Sequence, residues 1–209
     1  MTTIARLTDS CLTVTTGSGT TLFDPGFHTW ESDDFDKATI GDVQRIVITH
    51  EHGDHVSPAF VAWLLDRGED VRVHANAAVA ALLAKHEIEV STDTPHGMTA
   101  EDVMHEVIPT GAQPPNRSWT IDGVLTHPGD SYQPTRSAPV LALPLLVPWG
   151  SMTASVEFAR RMGPAQVVPI HDFYTSRQGR QWAMGLASAV LGGSGIEVVP
   201  LDWGERYSV

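Results

Sequence analysis

The sequence predicts a mixed α/β fold in which two β-sheets are covered by helices on their outer faces. Three observations predict it. The N-terminal segment reads as short strands separated by tight turns. From about residue 44 onward, strand and helix signals alternate. No linker, repeat or low-complexity tract divides the 209 residues, so 1–209 is read as one domain with a core of its own.

Taken in order, apolar and β-branched patterning gives strands at 4–7, 11–16 and 20–23. Gly17, Ser18 and Gly19 form a hairpin turn between the last two, and Asp24-Pro25-Gly26 ends the third in a turn. Residues 44–49 (QRIVIT) have the β-branched content of a buried strand. Residues 58–66 (PAFVAWLLD) are helical by apolar spacing, with Ser57 as N-cap and Pro58 in the first turn. A strand at 71–74 and an alanine-rich helix at 75–85 follow. Strands are expected at 103–109 and 119–125, the second interrupted by a turn at Asp122-Gly123. A strand at 140–146 precedes a helix at 151–162, capped by Ser151 or Thr153. A strand at 166–170, a helix at 178–191 closed by Gly192-Gly193, and a strand at 196–200 complete the chain. Met152, Met162 and Met184 fall at helical positions and read as core.

Composition narrows the function. Thirteen Lys and Arg against 25 Asp and Glu give a formal charge of −12. Such a field repels phosphate backbones, and apart from Arg160-Arg161 the basic residues are scattered, which argues against nucleic acid as a partner. The one cysteine, Cys11, excludes an internal disulfide framework and points to a reducing compartment, the cytoplasm. The start, MTTIARLTDSCLTV, lacks the basic head and apolar core of a secretory signal. The most apolar run, 139–148, is too short for a bilayer and contains three prolines, so no membrane association is expected. The expected partner is a small-molecule substrate, and a homo-oligomer is compatible with the sequence.

The chemistry concentrates in Thr49-His50-Glu51-His52-Gly53-Asp54-His55. Four potential ligands, His50, His52, Asp54 and His55, lie within six residues directly after an expected strand. Imidazole nitrogen and carboxylate oxygen suit zinc, iron or manganese. Histidines two apart point the same way in an extended segment, and a turn through Gly53 swings Asp54 and His55 towards a neighbouring position. A solvated polar loop does not require this order of residue types. Further donors are expected at later strand ends. One candidate is His127-Pro128-Gly129-Asp130, whose Asp130 can bridge two metals, although Pro-Gly-Asp is also ordinary turn chemistry. The other is Pro169-Ile170-His171-Asp172.

The order of TLFDPG, ITHEHGDH, THPGDS and VVPIHD resembles the metallo-β-lactamase superfamily, over nearly the whole chain. Within it the chain is similar to small bacterial hydrolases related to ascorbate-6-phosphate lactonase and the tRNase Z-like proteins. The resemblance implies a four-layer αββα sandwich with the site at one edge of the paired sheets. It implies His50 and His52 as ligands of a first metal and Asp54 and His55 as ligands of a second. Asp130 is then the bridging carboxylate, and His171 completes the second metal. Asp24, in the DPG motif, would support the histidine loop from behind. The cofactor implied is zinc, one or two ions, with manganese or iron as alternatives.

Two departures stand out. The family carries a third first-metal histidine after a strand, and the matching stretch is taken as 107–113, where Gly111 stands about where a histidine belongs. The reading drawn from this is an asymmetric or mononuclear site, with His127 favoured over His105 as substitute because it is close to Asp130 in sequence; the alternative for His127 is a supporting role behind the ligands. Where many relatives have GHSC, this chain has Thr8-Asp9-Ser10-Cys11.

The function expected is hydrolysis by a metal-bound hydroxide of an ester, lactone, amide or phosphodiester in a small molecule. Asp54 or Asp130 would orient the hydroxide or relay its proton. The alternative is a catalytically impaired metal-binding or ligand-sensing protein on the same scaffold, motivated by the missing histidine. An RNA-processing nuclease ranks last, since no Lys/Arg-rich arm is present. His74 and His86 are read as structural or exposed, His96 as a turn residue and His28 as a solvated loop residue. Trp149 and Tyr174 are candidate pocket-wall residues.

Overall fold

The computed structural model describes residues 1–33, 35–68 and 70–209. The chain falls into two compact units, one of Met1–His96 with Asp202–Val209 and one of Gly97–Leu201. Each is a six-stranded mixed sheet with helices packed on it.

In the first unit β1 (Thr3–Arg6), β2 (Leu12–Thr16) and β3 (Gly19–Phe23) form an antiparallel meander. Its β2–β3 turn is shorter than expected: Gly17 and Ser18 make it, and Gly19 already pairs with Thr16. The short helix α1 (Phe27–Glu31) and a 3₁₀ turn at Lys37–Thr39 lead to β4 (Arg45–Val47), which runs parallel to β3. Helix α2 (Pro58–Arg67) carries the chain to β5 (Arg72–His74), parallel to β4, and α3 (Ala77–Ala84) follows. Ser57 caps α2 by accepting the Phe60 N–H, and Asn76 caps α3 by accepting that of Val79. Phe60, Val61 and Leu64 of α2 and Val79 and Leu83 of α3 share one apolar cluster with Leu22, Ile46, Ile48 and Val73 of the sheet.

The second unit opens on β6 (Met98–Met104), paired antiparallel with β7 (Pro115–Ile121), which pairs antiparallel with β8 (Leu125–His127). Asp122 and Gly123, at φ 46° and 64°, make the β7–β8 turn, as the sequence leads one to expect. Then β9 (Val140–Pro144), α4 (Met152–Met162), β10 (Gln166–Ile170), α5 (Arg177–Gly192) and β11 (Glu197–Val198) extend the sheet in parallel. All five residues of β9 are buried, the mark of a strand covered on both faces. Leu141 and Leu143 join Phe158, Ala159, Met184, Ala187 and Leu191 in the core under α4 and α5, with Met152 and Met162 packed at its margin. The chain returns to the first unit with β12 (Arg206–Ser208), antiparallel to β1.

The largest difference from the sequence expectation is β6. It occupies 98–104, where 103–109 was expected. It is the edge strand of its sheet and is mostly solvent-facing, with acidic residues in mid-strand. An edge strand gains from charge and does not need a continuous apolar face, so its pattern is hidden. Asp102 instead pairs across the ladder with Arg117 at 2.5 Å, and that guanidinium holds its carboxyl below the usual range. Helix α1 and strand β12 were not anticipated, and the last expected strand shrinks to Glu197–Val198.

Candidate metal centre

The histidine loop follows β4 and is shaped by Asp24. Asp24 ends β3 in a left-handed conformation, φ 47°, and is fully buried. Its Oδ1 accepts the Thr49 N–H at 2.8 Å. Its Oδ2 accepts the Thr49 hydroxyl at 2.8 Å and the His55 Nδ1–H at 2.7 Å. One carboxylate thus ties both ends of the loop. The DPG turn supplies the rest: the Phe27 N–H donates to Gly53 O and the Ser57 N–H to Pro25 O, both at 2.8 Å. A methyl group at Gly26 would overlap the carbonyl of Asp54, so the two segments approach as only glycine permits. Asn76, besides capping α3, donates to Thr49 O at 3.2 Å. The N–H groups of His55 and Val56 both donate to His52 O, closing the tight turn through Gly53.

This scaffold gathers imidazoles. His50 Nε2 and His52 Nδ1 lie 3.1 Å apart. The His50 and His55 rings have centroids 4.0 Å apart. Two imidazole nitrogens at that spacing suit a shared cation held by bonds of about 2.0–2.1 Å. With Nδ1–H given to Asp24, the His55 ring carries its lone pair on Nε2, and this lies 4.0 Å from Asp54 Oδ2. His50 and His55 are fully buried, whereas His52 and Asp54 are partly open to solvent. The Cys11 thiol is no competing donor: it packs in the apolar cluster, and burial pushes its pKa well above the ordinary thiol value.

The second unit gathers donors about Asp130. The THPGD turn after β8 is held by Asn116 of β7, whose amide donates to Pro128 O at 2.8 Å and accepts the Asp130 N–H at 3.2 Å. Gly129, φ 63°, makes the turn, and its N–H donates to His127 Nδ1 at 3.2 Å. Three nitrogens surround Asp130 Oδ2: Trp149 Nε1 at 2.7 Å, His171 Nε2 at 3.0 Å and His105 Nε2 at 3.3 Å. His171 follows β10 in a left-handed conformation, φ 61°, a strained state for a non-glycine residue. His105 follows β6, and its Nδ1–H donates to Glu106 O at 2.6 Å, which leaves the Nε2 lone pair facing Asp130.

These positions correct the sequence reading at the third histidine. Gly111 lies in an exposed turn. His127, favoured as the substitute, braces the turn that carries Asp130. The candidate that stands beside Asp130, together with His171, is His105, ranked second because the expected strand ran on past it to residue 109. His28 is not a solvated loop residue either. It is buried, and its Nδ1–H donates to the buried Asp9 carboxylate at 2.7 Å. Trp149 is a hydrogen-bond donor to Asp130, beyond the wall role expected of it. Tyr174 is largely exposed and lies against Phe173. Nothing in the sequence signalled Asn116, since its role depends on pairing between β7 and β8.

Comparison with known proteins places these features in a family. Residues 6–169 match the metallo-beta-lactamase superfamily. Protein Rv0786c of Mycobacterium tuberculosis is 31% identical over 180 residues, covering 78% of this chain and 80% of that protein. Among solved structures, a candidate metal-dependent hydrolase from Parabacteroides distasonis aligns with a TM-score of 0.72 at 24% identity, covering 95% of this chain and 91% of that one. Igni18, a metallo hydrolase from the hyperthermophilic archaeon Ignicoccus hospitalis, aligns with a TM-score of 0.70 at 14% identity, covering 100% and 99%. At these identities the structural likenesses concern the fold.

Proposed function

The chain belongs to the metallo-β-lactamase superfamily and has its fold, and from that premise we propose that it is a metal-dependent hydrolase of a small molecule. The donors proposed for divalent cations are His50, His52, Asp54 and His55 of the histidine loop, and His105, Asp130 and His171 gathered about the Asp130 carboxylate. The observation that carries the reading is the crowding of buried imidazoles and carboxylates in both units: His50 against His52 and His55, and Asp130 Oδ2 against His105 and His171.

The residues fit such ions. All donors are imidazole nitrogen or carboxylate oxygen, which suits zinc, with manganese or iron as alternatives. Asp24 and the Glu106 carbonyl each bind the far nitrogen of a ligand histidine, setting its tautomer. A divalent cation, when bound, supplies Lewis acidity and lowers the pKa of water to about 7. Asp54, partly open to solvent, and Asp130 are the carboxylates suited to orient the attacking water and to carry its proton. His105 supports a complete donor set and removes the reason for regarding the centre as degraded. The substrates proposed are esters, lactones, amides or phosphodiesters, small and neutral or modestly anionic, in keeping with the charge of −12. The compartment proposed is the cytoplasm. No described helix is long and apolar enough to cross a membrane.

The test is metal analysis of protein purified without added metal, with His171→Ala beside it. The unaltered protein is expected to carry bound metal and the variant to lose at least one ion's worth. Equal occupancy in the two proteins would refute the second site. Hydrolysis is then assayed on metal-loaded protein against lactone and phosphodiester panels.

A further inference from the structure

Asp130 Oδ2 faces three nitrogens, and they differ in kind. An imidazole that ligates a cation through Nε2 has a lone pair there and no proton to give. The indole Nε1 of Trp149 is always a donor. With cations bound, Trp149 would therefore be the donor among the three that still holds Oδ2, at 2.7 Å. The indole is itself held. Its ring lies 5.0 Å from that of Tyr132, 5.6 Å from His105 and 6.0 Å from His171. Tyr132 is anchored in turn by a 2.7 Å hydrogen bond with Ser155 of α4 and by contact with Phe158. Burial, with the Asp130 and Glu106 carboxylates nearby, raises its phenol to about 12, against the opposing pull of Ser155, so it stays protonated.

We propose that Trp149 is a positioning residue, whose indole N–H fixes the orientation in which the Asp130 carboxylate would ligate a cation. The proposal rests on the reading of Asp130 as a metal ligand. A carboxylate rotates about a broad, soft torsion. Without the indole, Oδ2 is held towards neither His105 nor His171 in particular, and ligand geometry is lost even though every ligand is present. Donation to the oxygen also draws charge from it, which weakens it as a ligand. The loss of orientation outweighs this, since removing a partner that orients a metal ligand costs about 10–100-fold in metal affinity.

Trp149→Phe keeps an aromatic ring between Tyr132 and the histidines and removes only the N–H. Zinc affinity, measured by competition with a chromophoric chelator, is expected to fall about 10–100-fold. The ligand-field absorption of the cobalt(II)-loaded variant should change, while the melting temperature of the metal-free protein stays where it was. A packing role for the ring would move neither affinity nor absorption in this variant. Affinity and absorption equal to those of the unaltered protein would overturn the proposal and leave the metal centre standing. Failure of the unaltered protein to bind zinc would bring down both. Should the variant not fold, ¹⁵N spectra of the unaltered protein carry the test. One of the six tryptophan indole N–H signals is expected to resist exchange and to shift on zinc addition, and the absence of any such signal would overturn the proposal.

Discussion

Asp24 shows how much of the centre rests on residues that bind no metal. It accepts three hydrogen bonds, two from Thr49 and one from His55, with no exposure to solvent. Replacement by alanine strands these buried donors. Asp24→Ala should therefore lose about 3 kcal/mol in urea unfolding, since each unsatisfied buried group costs about 1–3 kcal/mol. Asp24→Asn keeps the shape and one acceptor but faces the other donors with an amide N–H. It is expected to fold and to bind zinc about 10–100-fold more weakly. Cys11 gives a prediction of opposite character. Its pKa is raised by burial, so the thiol stabilises the fold fully below its unfolded pKa of about 8.5, and that contribution is lost as pH rises above it. Melting temperatures at pH 7.5 and 9.5 should fall further for the unaltered protein than for Cys11→Ala. A thiol reagent at neutral pH should label Cys11 no faster than the protein unfolds.

At the level of elements, the centre is built from strand ends and the turns after them. The loop after β4 was legible because four donors fall within six residues behind a β-branched run, and local chemistry alone announces such a cluster. Asp130 and His171 were legible as candidates because each follows a strand end: Asp130 closes the His-Pro-Gly-Asp turn after β8, and His171 ends the mostly apolar run of β10. His105 was legible only as a second choice. Its strand is a charged edge, so periodicity does not mark where it stops. The DPG turn yields the sharpest prediction here. Gly26 has an ordinary φ of −78°, so alanine suits its backbone conformation, and its methyl would meet the Asp54 carbonyl and the His55 backbone nitrogen. Gly26→Ala should push the histidine loop away from the turn, lowering both melting temperature and metal content. Gly111→Ala, in an exposed turn with open space around it, should leave metal content alone. Metal analysis and thermal melts of the two variants check the contrast.

For the molecule as a whole, charge and metal pull against each other. A formal charge of −12 disfavours compactness through self-repulsion, and cations held as proposed would offset part of it. A ligand that binds the folded state alone adds about 2.7 kcal/mol at a hundred times its dissociation constant. Zinc should accordingly raise the melting temperature of the unaltered protein, and a chelator should return it to the metal-free value. His171→Ala should show a smaller rise.

By itself the sequence determined the fold class, the family resemblance and the donors that lie close together along the chain, because these depend on periodicity, turn chemistry and local spacing. Only the tertiary structure decided that His105 stands beside Asp130, that His127 braces a turn, that His28 is buried against Asp9 and that Trp149 donates to the Asp130 carboxylate. Apart from the His127 brace, which is local to its turn, each of these is a contact between residues far apart in the chain. Strand register and turn conformation set such contacts, and residue type at one position carries no trace of what the pairing of two strands brings next to it.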